Sequence, residues 1–231
     1  MQMKNYLSFG GGVNSVALYL HMLASGVKFE AIFVDHGADW PETYAYVNNF
    51  SEKYPLTILK ASLTRKKSGE TFTSLIDYCR QKKRIPQQWP RWCTGDWKKY
   101  QINRYVDTPC FMNIGIDAGE ARRAKLSSAG KIEYRYPLIE AGIDREGCKA
   151  LIAAHGMAIP PKSGCYICPF QSPAQLKRLR KKHPELFCQV KMLERASGRT
   201  LKRGMPVSAV VNENQMQIFE QDEYPPCLCA L

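Results

Sequence analysis

The sequence predicts an α/β protein built on a parallel sheet, and two observations carry that reading. Strand-length and helix-length apolar segments alternate over the first sixty residues, and a glycine run breaks the first strand where the first helix begins. Residues 4–9 read as a short strand ended by Gly10-Gly11-Gly12. Residues 14–24 place Val16, Leu18, Leu20, Met22 and Leu23 in a helix-length segment closed by Ser25-Gly26. Residues 29–34 form a buried strand ending at Asp35. Pro41 then opens a helix over 42–54, and 56–61 supplies a third strand. Further on, helices are expected over 72–80, 94–105 and 144–155, and a strand over 111–116. Ser172-Pro173 starts a basic helix running to Lys182, Pro184 starts another, and 205–231 reads as irregular. The expected organisation is a nucleotide-binding α/β core over 1–140. A cysteine-containing helical and irregular extension, 141–231, packs on it.

The bulk numbers set limits. A chain of 231 residues, 45% hydrophobic and 23% charged, buries a full globular core. No apolar run approaches the ~18–20 residues needed to cross a bilayer, and Met1 leads straight into a strand. The expectation is therefore a cytoplasmic protein without a membrane role. In that compartment nine cysteines point to metal ligation, redox chemistry or packing rather than to disulfides. Of the net +12, all resides in residues 121–203, where 18 Lys and Arg face 6 Asp and Glu. Such a concentration suits a polyanion, either RNA or DNA or the phosphates of a nucleotide.

The glycine loop is the first candidate site. Consecutive glycines let backbone amides approach a phosphate, and the helix after them adds its dipole and free N–H groups. Ser15, in the first turn, has a hydroxyl to offer the same anion. The Gly-x-x-x-x-Gly-Lys-[Ser/Thr] loop and the dinucleotide Gly-x-Gly-x-x-Gly pattern are both absent.

What Ser8-Phe9-Gly10-Gly11-Gly12-Val13-Asn14-Ser15 resembles is the PP-loop of ATP pyrophosphatases, with Gly10 in place of a serine and Asn14 in place of the aspartate. Further blocks follow in the order of the phosphoadenosine phosphosulfate reductase-like family within that superfamily. They are residues 33–43, with Asp35, His36 and Pro41-Glu42-Thr43; residues 91–98, with Cys93; residues 115–123, with Glu120 and Arg123; and the closing blocks at 136–140 and 162–170. The resemblance implies an adenine nucleotide alpha-hydrolase-like sandwich that binds ATP with Mg2+. Gly10, Gly11, Gly12, Val13, Asn14 and Ser15 would grip the phosphates, and Asp35 and His36 would border the adenosine. Ser15, Glu120 and Arg123 would serve catalysis, the arginine stabilising charge on the α-phosphate.

Cys165 and Cys168 have Cys-x-x-Cys spacing, which presents two thiolates to one metal. The resemblance adds Cys93 and, with Thr94 in the next position, leaves out the family's fourth cysteine. Three completions stay open. One is a [4Fe–4S] cluster with an open iron. Another is Zn2+ with a further ligand from Cys227, Cys229 or His36, and the third is a metal-free redox pair. Cys79, Cys110, Cys148 and Cys188 read as buried small hydrophobes. On the basic helix Leu176 and Leu179 face inward and five cations outward, while Trp89, Trp92 and Trp97 are candidates for stacking on a base. The leading expectation is an adenylating, pyrophosphate-releasing sulfur transferase acting on a nucleic acid or nucleotide with a sulfur donor. A sulfonucleotide reductase served by a thioredoxin-like reductant is the second, and a non-catalytic nucleic-acid-binding module the third.

Overall fold

The computed structural model describes residues 3–124 and 130–212. In chain order they form β1 (Lys4–Ser8), α1 (Val13–Ala24), β2 (Glu30–Asp35), α2 (Pro41–Lys53) and β3 (Thr57–Lys60). A small antiparallel pair, β4 (Leu63–Thr64) and β5 (Thr71–Phe72), leads into α3 (Leu75–Gln81). Next come α4 (Trp92–Thr94), a π-helical stretch Gly95–Lys99, α5 (Tyr100–Tyr105) and β6 (Cys110–Ile114). A 3-10 turn, Ala118–Arg123, precedes β7 (Ile132–Arg135), α6 (Pro137–Glu140), α7 (Arg145–Ala154), α8 (Pro173–Lys182), α9 (Pro184–Ser197) and α10 (Val207–Asn212).

The main sheet is parallel throughout, in the order β3–β2–β1–β6–β7. Alternation along its strands feeds two cores. Leu7 of β1 and Ala31 and Phe33 of β2 face a cluster completed by α1, α2 and α7. Tyr6, Ile32 and Val34 face the opposite cluster, built from α3, Trp97 and α8–α10. Both faces are thus covered, as parallel strands with near-continuous apolar runs require. Sequence beyond residue 140 contributes to both sides, because α7 packs on α1 while α8 and α9 pack on each other across the sheet. Among the described residues no helix is long and apolar enough to cross a membrane.

Several elements differ from expectation. The helix expected over 72–80 begins only at Leu75, because the Ser74 side chain accepts from the Ile76 and Asp77 amides and fixes the start there. The helix expected over 94–105 contains a π-helical turn, a feature without a residue-type signature. Part of the segment read as irregular, 207–212, is helical and packs on α8 and α9. By contrast α8 spans its expected residues: Ser172 and Gln175 form a reciprocal capping box, and Pro173 occupies the first helical position.

Candidate functional site

Strand order reverses at β1, which has β2 on one side and β6 on the other. In open α/β sheets the crevice beyond the carboxyl ends of strands at such a point is where ligands bind. Here it is a cleft of about 900 Å³, bordered by the glycine loop after β1 and by the segment after β6.

The loop's shape depends on glycine at two places. Gly11 has φ +68°, and a Cβ there would lie 2.8 Å from Val47 Cγ2 on α2. Gly115, from the facing segment, sits so close to α1 that a Cβ would be 2.9 Å from the Asn14 backbone and the Ser15 nitrogen. Gly10, Gly12, Val13, Asn14 and Ser15 all line the cleft. The Ser15 hydroxyl is itself engaged, donating to the Gly12 carbonyl at 2.9 Å and accepting from the Gly12 amide at 3.2 Å. It braces the first turn of α1, whose remaining amides and dipole face the cleft.

Asn14, where the PP-loop usually has an aspartate, is buried. Its Nδ2 donates to Asp117 Oδ2 at 2.9 Å, and its Oδ1 accepts from Arg145 at 2.7 Å. A carboxylate is therefore present beside the loop, but it comes from the segment after β6. Sequence reading named neither Asp117 nor Arg145 as a site residue; Asp117 lies in the 115–123 block without a role of its own, Arg145 lies in no block, and only the fold brings them to Asn14. Glu120 and Arg123 line the same cleft and form an ion pair. Burial pushes the Glu120 carboxyl up, and nearby Asp117 adds to this against the opposing pull of Arg123.

Asp35 ends β2 and accepts from the Gly37 amide at 2.9 Å, from the Tyr44 hydroxyl at 2.8 Å and from Lys60. Burial pushes its pKa up, yet these three donors outweigh that and hold the carboxyl below its ordinary range. Burial also pushes the Tyr44 phenol far up, with Asp39 and Asp35 adding to the shift.

His36 faces elsewhere. It lines a second, smaller and mostly apolar cavity together with Cys93, Cys165 and Cys168. Three distant stretches converge there: the loop after β2, the short helix α4, and the turn in which the Cys168 amide donates to the Cys165 carbonyl at 3.1 Å. Backbone bonds fix the first stretch to the last, with Trp40 donating to the Gly164 carbonyl and Tyr166 to the Ala38 carbonyl. Lys202 Nζ donates to the Pro169 carbonyl at 2.9 Å; burial lowers its basicity and the neighbouring Cys168 partly restores it. The two cavities adjoin. Lys98 lines both, and the 162–168 loop runs from Ser163, against Gly12, to the cysteines.

Among the other residues singled out from sequence, Trp97 is fully buried, Trp92 stacks under Arg84, and Trp89 is 85% exposed. Cys79, Cys110 and Cys148 are buried, but Cys188 is exposed on α9 because its helical phase turns it away from Phe187 and Val190. Leu176 and Leu179 are buried and the five cations of α8 exposed. Cys227 and Cys229 lie outside the described residues.

Residues 4–90 match the model of the phosphoadenosine phosphosulfate reductase domain. That stretch contains the glycine loop and the Asp35 block, whereas Cys93, residues 115–123 and the Cys165–Cys168 turn lie beyond it. An uncharacterized protein of Methanocaldococcus jannaschii is 28% identical in an alignment of 205 positions that covers 80% of this chain and 46% of that protein. The chain thus spans about half the length of this curated relative. Among solved structures, the phosphoadenylyl-sulfate reductase of Candida auris in its phosphate complex is similar with a TM-score of 0.46 and 16% identity. The superposition covers 69% of this chain and 76% of that one.

Proposed function

We propose, for a chain whose residues 4–90 match the phosphoadenosine phosphosulfate reductase domain, an ATP-dependent adenylating enzyme that releases pyrophosphate and transfers sulfur to a nucleic acid or nucleotide. The observation that carries the reading is the cleft at the strand-order reversal, with the glycine loop and helix dipole on one wall and Glu120, Arg123 and Arg145 on the other.

The chain's own groups divide the work as follows. Amides of 10–15 and the N-terminus of α1 hold the pyrophosphate portion of ATP. Arg123 stabilises charge that develops on the α-phosphate as the acceptor oxygen attacks and pyrophosphate leaves. Asp117, held by Asn14, is the carboxylate available to orient Mg2+ in place of the usual loop acid. Asp35 accepts from the nucleoside end. The thiols of Cys93, Cys165 and Cys168 fit a soft metal centre by donor type, and they share one cavity next to the cleft. Such a centre would supply or relay the sulfur. The basic face of α8 offers the acceptor's phosphates a docking surface.

Incubation with α-labelled ATP and Mg2+ tests this. AMP and pyrophosphate should form, faster with RNA or DNA, and fall at least tenfold in Arg123→Ala. A stable nucleotide complex without cleavage would leave only a binding module. The family match also favours a second reading, sulfonucleotide reduction; sulfite release from phosphoadenosine phosphosulfate with a thiol reductant would select it.

A further inference from the structure

The smaller cavity contains a donor arrangement that the three cysteines alone do not explain. His36 Nε2 lies 3.4 Å from Cys165 Sγ and 3.5 Å from Asp39 Oδ1, and the three ligand atoms all lie within 4.8 Å of one another. His36 and Asp39 are 1% and 4% exposed. Asp39 Oδ1 receives no hydrogen bond, an expensive condition for a buried carboxylate oxygen. One imidazole nitrogen thus stands between a sulfur and an oxygen, at hydrogen-bond distance from the sulfur.

Two ligands on one tetrahedral ion, with metal–sulfur and metal–nitrogen bonds of about 2.3 and 2.0–2.1 Å, are separated by about 3.5–3.6 Å. Nitrogen and carboxylate oxygen on the same ion are about 3.4 Å apart. Both spacings to His36 Nε2 match ligands of one shared ion, and Cys165 and Asp39 lie within 4.8 Å of each other. The arrangement is also held before any ion arrives. Asp39 and Cys165 are paired as an antiparallel β-bridge, flanked by the Trp40–Gly164 and Tyr166–Ala38 backbone bonds.

We propose that His36, Asp39 and Cys165 form a mononuclear site for a borderline-soft divalent ion of the zinc class, with Cys93 or Cys168 from the same cavity closing the shell. Binding uses the neutral imidazole and the carboxylate, and it releases the thiol protons of Cys165 and of the closing cysteine to solvent. The inference stands apart from the nucleotide chemistry, since it needs neither ATP nor turnover.

Zinc added to chelator-treated full-length protein provides the test, with metal analysis and zinc-edge X-ray absorption as the readouts. The expected result is one zinc per chain and a first shell of mixed nitrogen or oxygen with sulfur. Cobalt(II) should give tetrahedral ligand-field bands with a sulfur charge-transfer band, and His36→Asn and Asp39→Asn should each weaken cobalt binding at least tenfold. The wild-type absorption shell requires no variant to fold. Failure to take up zinc, an all-sulfur shell, a four-iron cluster in anaerobically purified protein, or cobalt affinity unchanged in both variants would each overturn the proposal. Pyrophosphate release is read separately, so either result stands without the other.

Discussion

Asn14 ties the start of α1 to two segments on the far side of the cleft, donating to Asp117 at 2.9 Å and accepting from Arg145 at 2.7 Å. Restoring the acid that PP-loops usually carry should therefore harm this protein. Asn14→Asp removes the donor to a buried carboxylate and sets a second negative charge against it, at a cost of about 1–3 kcal/mol. At ~2–4 °C per kcal/mol for a chain of this size, the thermal midpoint should fall measurably. Asn14→Asp combined with Asp117→Asn restores the donor–acceptor pair and should recover most of the loss. Equal stability of Asn14→Asp and wild type would contradict the pairing.

Gly115 is required by a backbone contact rather than by its dihedral angles. A methyl group there would sit 2.9 Å from the Asn14 carbonyl and the Ser15 nitrogen, atoms that cannot rotate away. Gly115→Ala should cost about 1–3 kcal/mol by overpacking and displace the phosphate loop. Weaker binding of ATP, followed by calorimetry, should accompany the lower melting point. Gly95→Ala, which meets nothing within 4 Å and lies outside the cleft lining, serves as the control.

The Asp35 carboxyl gives a pH dependence of definite sign. Its folded-state value is held below the unfolded one by Lys60, Gly37 and Tyr44. Its stabilising contribution is thus complete above the unfolded carboxylate value and fades as pH falls through the folded one. Wild type should out-melt Asp35→Asn at neutral pH, and the gap should narrow once pH falls below the ordinary aspartate value of about 3.9. A gap that widens on acidification would reverse the assignment.

Nucleic-acid docking on α8 makes a salt prediction. Lys177, Lys181 and Lys182 are exposed, and replacing all three with Glu should lower the log–log salt slope of RNA or DNA affinity by about 2–3. An unchanged slope would move the docking surface elsewhere. Folding should be little affected, because Leu176 and Leu179 anchor the helix from the other side.

Much of this was legible in the sequence because it rests on local pattern. Alternating apolar segments mark β1, β2, α1 and α2, and Ser172-Pro173 with Gln175 marks the start of α8. Short elements such as β7 and α6 carried too little periodicity to be seen. The candidate site divides in the same way. The glycine loop, the cysteine pair and the Glu120–Arg123 segment each announce themselves through residue type and spacing.

The sequence by itself determined the sheet class, the glycine loop and the supply of thiols, because each depends on neighbours a few residues apart. Only the tertiary structure decided that Asp117 stands beside Asn14, and that His36 lies with the cysteines rather than in the cleft of the glycine loop. The Asn14–Asp117 and His36–Cys165 pairings join residues 103 and 129 positions apart. They are set by which strands neighbour one another and by the backbone bonds that fix the cysteine loop to the end of β2, and no local pattern encodes either.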